Sequence, residues 1–155
     1  MKPAPTTEGG LSLTLIVPEL GLLGAFLGFS PDALLRPHCA RSPERRPDGT
    51  AYPLYIQPGT GFYTAPFNIG GTPSEIGLHV VQGTQDGGVV VLTLPVIAPP
   101  LIGTRIQDAL PGRCEPPRYG DSPQKIPGAH YRMALRRGDR LQIPLSAFTL
   151  TLEVG

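Results

Sequence analysis

The amino-acid sequence predicts an all-β protein with the fold of an antiparallel two-sheet, jelly-roll-like β-sandwich. The 155 residues include 20 Gly and 20 Pro, which excludes long helices because both residue types interrupt them. Leu, Ile and Val are nevertheless frequent and the net charge is only +1, whereas disordered chains carry few aliphatic residues and a high net charge. The length fits one domain, which we place at residues 11–155 after an extended N-terminal arm over residues 1–10.

The two ends of this domain show the clearest strand pattern. In residues 11–17, and again in residues 148–154, apolar side chains alternate with mostly polar ones. Alternation with a period of two places the apolar side chains on one face of a β-strand. Both ends of the domain are therefore predicted to be strands that turn one face to the core.

Further segments bring the total to about eight strands. They are rich in β-branched and aromatic residues, are bounded by turn residues, and span residues 52–57, 61–67, 75–82, 89–97, 130–136 and 140–145. The Gly- and Asp-containing connections at residues 83–88 and 137–139 predict two hairpins. Pro18, Pro95 and Pro144 lie within apolar runs, where strands are expected to bend or change partners because proline cannot donate to a sheet.

One or two very short helices and two long loops complete the predicted fold. Residues 30–36 begin with the Ser-Pro pair typical of a helix N-terminus, and residues 104–110 begin with Thr and are followed by Pro-Gly. Each helix would be about two turns long. Residues 36–51 and 111–129 are rich in Pro, Arg and Gly, and they are predicted to be long ordered loops that carry contact surface.

The longest apolar run, residues 11–29, has the length of a membrane span or a signal peptide. Glu19 near its centre and Pro18 beside it argue against a membrane helix, so we expect no membrane span. We expect residues 20–29 to pack against protein, because so much apolar surface is unfavourable in water. The candidate interface residues are Leu20, Leu22, Leu23, Phe26 and Phe29, together with Arg41, Arg45 and Arg46 of a neighbouring arginine cluster.

Charge and cysteine content limit the classes of partner. The 13 basic and 12 acidic residues nearly cancel, so we expect no specific nucleic-acid partner. Cys39 and Cys114 lie in similar Pro- and Arg-rich loops, which makes them a candidate disulfide pair, with two free thiols as the alternative. The three histidines lack the spacing of a metal site, and we expect neither a metal nor another cofactor.

The sequence contains no nucleophile elbow and no phosphate-binding glycine loop. Residues 137–139 match a cell-adhesion tripeptide but fall where a turn is expected in any case. Tyr52, Tyr55 and Tyr63 lie close together in sequence, so a small sugar-binding platform is one interpretation, with core packing as the alternative.

We therefore expect a non-enzymatic structural protein that acts through contacts with other copies of itself or with other subunits of a large assembly. A virion component, such as a capsid, decoration or tail protein, is the first interpretation, and it rests on analogy at the level of the fold. The alternative is a secreted or surface carbohydrate-binding or adhesion module, which would be extracellular.

Overall fold

A computed structural model of the chain describes residues 10–27, 30–64, 66–69, 71–84, 86–95, 106, 109–144 and 148–155. Strands account for 57% and helices for 12% of the structure. The described part is mostly β, as predicted, and it contains two large antiparallel sheets and two short helices. The N-terminal arm, apart from Gly10, lies outside the described residues.

In chain order, the described residues form β1 (Leu11–Val17), α1 (Leu22–Leu27), α2 (Pro31–Leu35), a 3-10 turn (Arg36–His38), β2 (Glu44–Arg46), β3 (Gly49–Ile56), β4 (Thr60–Tyr63), β5 (Phe67–Ile69), β6 (Thr72–Ser74), β7 (Gly77–Thr84), β8 (Gly87–Pro95), β9 (Arg118–Asp121), β10 (Pro127–Arg136), β11 (Arg140–Pro144) and β12 (Thr149–Val154). Sheet A has the strand order β11-β12-β1-β3-β2, and sheet B has the order β4-β7-β8-β10-β9. Neighbouring strands are antiparallel throughout both sheets. The short strands β5 and β6 pair only with each other among the described residues.

The two sheets share one hydrophobic core. Leu13 and Leu15 of β1 in sheet A belong to the same buried cluster as Leu92 of β8 and Met133 of β10 in sheet B. The arrangement is therefore sandwich-like, because side chains from both sheets fill one interior. The strand order does not confirm the jelly-roll connectivity, since β2 and β3, β7 and β8, and β11 and β12 are neighbours both in sequence and within one sheet.

Each predicted strand segment overlaps an observed strand. In β1, alternate side chains from Leu11 to Val17 are buried and Ser12 is exposed, as the alternation predicts. Ile16 is also buried, on the opposite face, where it pairs with Ala51 and Thr151, which are buried too. The outer face of sheet A is therefore covered at this point, which the alternating pattern did not indicate.

The three prolines lie at or next to the described ends of strands. Strand β1 stops at Val17, immediately before Pro18, while β8 ends at Pro95 and β11 ends at Pro144. A strand end is the simplest position for a residue that cannot donate a backbone hydrogen bond. At Pro18 the strand therefore ends instead of bending, whereas the residues that follow Pro95 and Pro144 lie outside the described part of the chain.

One of the two predicted hairpins is present. Strands β7 and β8 pair directly across the turn, with a bulge between Val80 and Gln82. The second prediction is wrong, because residues 137–139 connect β10 of sheet B to β11 of sheet A. The Gly138 N–H donates to the Val154 carbonyl at 2.8 Å, and the Val154 N–H donates to the Asp139 carbonyl at 3.0 Å. These bonds attach the turn to β12, so the chain passes between the sheets.

The helical predictions have mixed outcomes. Helix α2 begins at Pro31 as expected, although the Ser30 side chain makes no capping hydrogen bond. Helix α1 was not predicted, because Gly24 lies within its sequence and Gly21 and Gly28 lie beside it. Most of the predicted helix at residues 104–110 lies outside the described residues, but the Leu110 N–H donates to the Ile106 carbonyl at 3.1 Å. That spacing of four residues is typical of an α-helical turn.

Candidate functional site

Helix α1 displays one leucine to solvent. The side chain of Leu22 is 90% exposed, which is the largest exposure among the large hydrophobic residues that the structure describes. Leu20 and Leu23 are partly buried and pack against the core. The Leu23 N–H donates to the Leu20 carbonyl at 2.9 Å around Gly21, whose φ is +54°. The turn before α1 therefore holds Leu20 and Leu23 against the core and directs Leu22 to solvent. Leu20, Leu22 and Leu23 are called the α1 surface below.

Two other predicted interface residues cannot be placed on this surface. The side chain of Phe26 and the whole of Phe29 lie outside the described residues. No helix in the described part of the chain has both the length and the apolar character that a bilayer span requires. Helix α1 itself contains six residues.

A cleft of about 520 Å³ opens beside the α1 surface. Its apolar walls include Pro18, Leu20, Gly24, Ala25, Pro31 and Tyr52. Burial raises the pKa of Tyr52, which keeps its phenol neutral at physiological pH. The cleft therefore offers apolar surface next to an exposed leucine.

The two carboxylates of this cleft both have partners. The Glu19 carboxylate forms an ion pair with Arg45 at 3.0 Å, and both side chains are highly exposed. Asp32 receives two hydrogen bonds of 2.9 Å from Arg36. These hydrogen bonds hold the pKa of Asp32 below its ordinary value. The charges of the cleft are therefore compensated within the same molecule.

The predicted arginines contribute mainly to contacts within the chain. Besides the pair of Arg45, Arg46 pairs with Glu44 at 3.2 Å and with Glu153 at 3.0 Å. The latter pair connects the edge strand β2 to β12 across sheet A. Arg41 is exposed and lines a small cleft of about 60 Å³ together with Arg46. The structure thus brings Arg45 to the α1 surface through Glu19, and it uses Arg46 to stabilise sheet A.

The candidate disulfide is absent, and both cysteines are free thiols. Cys39 forms an isolated bridge with Leu54 of sheet A, whereas Cys114 forms one with Met133 of sheet B. Their similar loops therefore run along different sheets, which explains why similar sequences do not bring the two sulfur atoms together. Burial raises the pKa of both thiols, so both are protonated at neutral pH.

A second cleft, of about 410 Å³, lies on the side of sheet B that faces away from the core. It is called the basic cleft below and is lined by Val91, Glu115, Pro116, Arg118, His130 and Arg132. Arg118 of β9 stands directly opposite His130 of β10, and Arg132 stands opposite Val91 of β8. Strand register therefore brings together basic residues from separate parts of the chain.

Sequence reasoning missed the basic cleft. Arg132 was not among the predicted site residues, and Arg118 lies in residues 111–129, which were predicted to be a loop. The alternation of β10 was the available signal, since it places His130 and Arg132 on the same face. The pairing of β9 with β10, which adds Arg118, could not be read from that alternation.

Two other sequence patterns do not form the sites that were considered. Tyr52 is buried in the core and Tyr55 lies on sheet A, whereas Tyr63 lies on β4 of sheet B, so the three tyrosines form no common platform. In the tripeptide at residues 137–139, the Asp139 carboxylate accepts a hydrogen bond of 2.7 Å from Arg113. An adhesion receptor would have to compete with that pair. No family model, no curated protein and no solved structure matches the chain.

Proposed function

We propose that the protein is a non-enzymatic structural subunit that acts through contacts with other copies of itself or with other subunits of a large assembly. The observation that supports this function is Leu22, 90% exposed beside the apolar cleft of about 520 Å³. A single exposed leucine is common on protein surfaces. Here the exposed leucine lies next to a cleft that can receive the same side chain from another subunit. Burying such a side chain contributes about 1.5–3 kcal/mol.

A second copy of the chain is the partner that fits this surface. The projecting leucine adjoins the cleft, because its neighbours Leu20 and Gly21 line that cleft. In a two-fold contact, each subunit can insert its Leu22 into the cleft of the other, and the contact occurs twice. Because Glu19 and Asp32 are already paired, the approach brings no uncompensated carboxylate into the contact.

We place this subunit in a virion, as a capsid, decoration or tail protein. The support is at the level of the fold, because double-sheet β-folds such as jelly rolls serve in viral capsids. The jelly-roll-like connectivity of the sandwich belongs to the same proposal. Short edge strands such as β2, with three residues, also favour association through side chains over uncontrolled pairing of sheet edges.

Light scattering coupled to size-exclusion chromatography tests the subunit contact. We expect the unmodified chain to form a dimer or larger oligomer and the variant Leu22→Ser to dissociate toward the monomer. The matched control is Tyr119→Ser, which removes a 71% exposed aromatic residue from sheet B and is expected to leave the mass unchanged. A monomeric unmodified chain, or equal masses for the chain and L22S, would contradict the proposal.

Electron microscopy of the concentrated protein tests the larger assembly. Shells, tubes or rings of regular size are expected, and L22S should abolish them. Discrete dimers without any larger particle would support the α1 surface as a contact but would exclude the virion placement.

The second candidate function is a carbohydrate-binding or adhesion module, acting outside the cell. One observation favours it: the rings of Tyr63 and His79 lie 4.8 Å apart on the side of sheet B that faces away from the core. Aromatic rings of this kind offer an apolar face and a polar edge to a sugar. A stable monomer that retains glycans on an array, and loses them in the variant Tyr63→Ala, would favour this function over assembly.

A further inference from the structure

The basic cleft on sheet B is separate from the α1 surface and carries an uncompensated positive charge. In β10, Tyr131 and Met133 are buried in the core, so the alternate residues His130 and Arg132 face the other way. Arg118 on β9 stands opposite His130 and completes the group. Three basic side chains therefore line one cleft from two neighbouring strands.

One acidic side chain faces these three basic ones. Glu115 lies 3.6 Å from the Nε atom of Arg132, with both side chains about half exposed, so this ion pair is weak. Arg118 has no ion pair with any residue that the structure describes. Two guanidinium groups thus face a single carboxylate in this cleft.

The wall of the basic cleft is fixed by hydrogen bonds. The Nε2 atom of His130 lies 3.1 Å from the Gly120 carbonyl, which can only accept, so Nε2 carries a proton. The Nδ1 atom of the same ring is hydrogen-bonded to the Thr93 hydroxyl, at 2.8 Å. Both ring nitrogens are occupied, which leaves Arg118 and Arg132 as the groups able to donate to a ligand.

The backbone beside His130 carries two glycines. Gly120 and Gly128 stand opposite each other in the pairing of β9 and β10. A Cβ atom added to Gly120 would meet only the His130 ring, at 3.8 Å, which is an ordinary contact distance, whereas a Cβ atom on the buried Gly128 would lie 2.9 Å from the Thr93 methyl group. Open space beside the His130 ring is therefore found at Gly120.

We propose that the basic cleft binds a tetrahedral oxyanion, a phosphate or sulfate group carried by a small molecule. Guanidinium groups donate in a planar fork that matches such anions. A phosphate or sulfate group presents three or four acceptor oxygen atoms in different directions, so it can accept from Arg118 and Arg132 together. The volume of about 410 Å³ lies within the range of small-molecule sites. This function is additional to the proposed assembly and does not depend on it.

Calorimetric titration with sodium phosphate and with sodium sulfate tests the site, at neutral pH and constant ionic strength. Saturable binding of both anions is expected. The variants Arg118→Gln and Arg132→Gln should each weaken it by about tenfold, as the loss of a charged hydrogen bond does. The matched control is Arg136→Gln, which removes the same charge from the same strand, outside the cleft. It should change the affinity by less than about twofold.

Two further measurements separate a specific site from general charge attraction. Glu115→Gln should tighten anion binding, because it removes the one carboxylate that competes for Arg132. Comparing the affinities for glucose 6-phosphate and inorganic phosphate shows whether the phosphate is preferred as an ester. Comparing the affinities for phosphate and sodium acetate shows whether a carboxylate binds equally well. Binding that does not saturate, an equal loss in R136Q, or acetate binding as tightly as phosphate would overturn the proposal. Circular dichroism of each variant identifies any loss of fold.

Discussion

Arg113 and Asp139 form the least exposed ion pair among the described residues. The Nη1 atom of Arg113 lies 2.7 Å from Oδ2 of Asp139, and each side chain is 19% exposed. The Asp139 carboxylate also accepts the backbone N–H of Arg136 at 2.7 Å. The pair therefore fastens the loop before β9 to the turn at which the chain passes from sheet B to sheet A.

Replacing Asp139 by Asn should lower the free energy of unfolding by about 1–2 kcal/mol at neutral pH, since charged hydrogen bonds are lost. Burial raises the pKa of Asp139, but the hydrogen bonds from Arg113 and Arg136 outweigh it and hold the pKa below its ordinary value of 3.8. This stabilisation is thus complete above pH 3.8 and is lost as the pH falls through the folded-state pKa. Urea denaturation measures the free energy of unfolding. In D139N this free energy should decrease less on acidification than in the unmodified chain.

Asp48→Asn is the matched control for D139N. Asp48 also pairs with an arginine, at 3.0 Å, but its side chain is 44% exposed. An exposed pair contributes little, so a change below about 0.5 kcal/mol is expected. Equal losses in the two variants would show that burial does not strengthen the Arg113 pair.

Mild acid should destabilise the protein through His79. Burial lowers the pKa of His79 from 6.5, and repulsion by His130 lowers it further. The unfolded chain then takes up a proton before the folded one, so stability is lost as the pH falls from 6.5 toward the folded-state pKa. Thermal unfolding at about pH 7.5 and about pH 5.5 measures this loss. The variant His79→Gln should show a smaller difference between the two pH values; an unchanged difference would contradict the assignment.

Glu75 is a buried acidic residue. It is 2% exposed, and neither oxygen of its carboxylate has a hydrogen-bond partner among the residues that the structure describes. Replacing this carboxyl group with a neutral amide in Glu75→Gln should raise the free energy of unfolding by about 1–3 kcal/mol, because a buried polar group without such partners is unfavourable. Glu44→Gln, at a position that is 70% exposed, is the control and should change little. Destabilisation by E75Q in denaturant melts would show that the carboxylate is needed by the fold.

The backbone conformation at the start of β3 requires a glycine at position 49. Its φ is +138°, and a Cβ atom there would lie 2.1 Å from the Val17 carbonyl oxygen. Gly49→Ala should therefore destabilise the fold strongly, by about 2 kcal/mol or more. Gly120→Ala, where the added atom meets only an ordinary contact, should change the midpoint of thermal unfolding much less. Equal midpoints for the two variants would be inconsistent with this geometry.

The two thiols should be available without reduction. Ellman's reagent is expected to titrate both Cys39 and Cys114 in the denatured chain when no reductant has been added. In the folded protein their reaction should be slow at neutral pH, because burial raises the pKa of both thiols. A reductant should leave the melting temperature unchanged; a lower melting temperature with reductant would indicate a disulfide.

The sequence by itself determined the strands at the two ends of the domain and most of the longer ones between them. The alternation in residues 11–17 and 148–154 is a local property, because a period of two has only one structural meaning in a half-buried segment. The same property places Leu13 and Leu152 in the core, where both are 1% exposed. Helix α2 could also be predicted from the sequence, because the Ser30-Pro31 pair is a local signal for the start of a helix.

Only the tertiary structure decided which strands became neighbours. The turn after Arg136 is short enough for a hairpin, yet Asp139 is bound by Arg113 and by the backbone of Val154, which direct the chain into sheet A. Strands β2 and β9 were predicted as loops, because they are short and gain their hydrogen bonds from distant partners. The same long-range pairing separates Cys39 from Cys114 and assembles the basic cleft. Contacts between residues far apart in sequence leave no local pattern, so neither the cleft nor the course of the chain between the sheets could be read from the sequence.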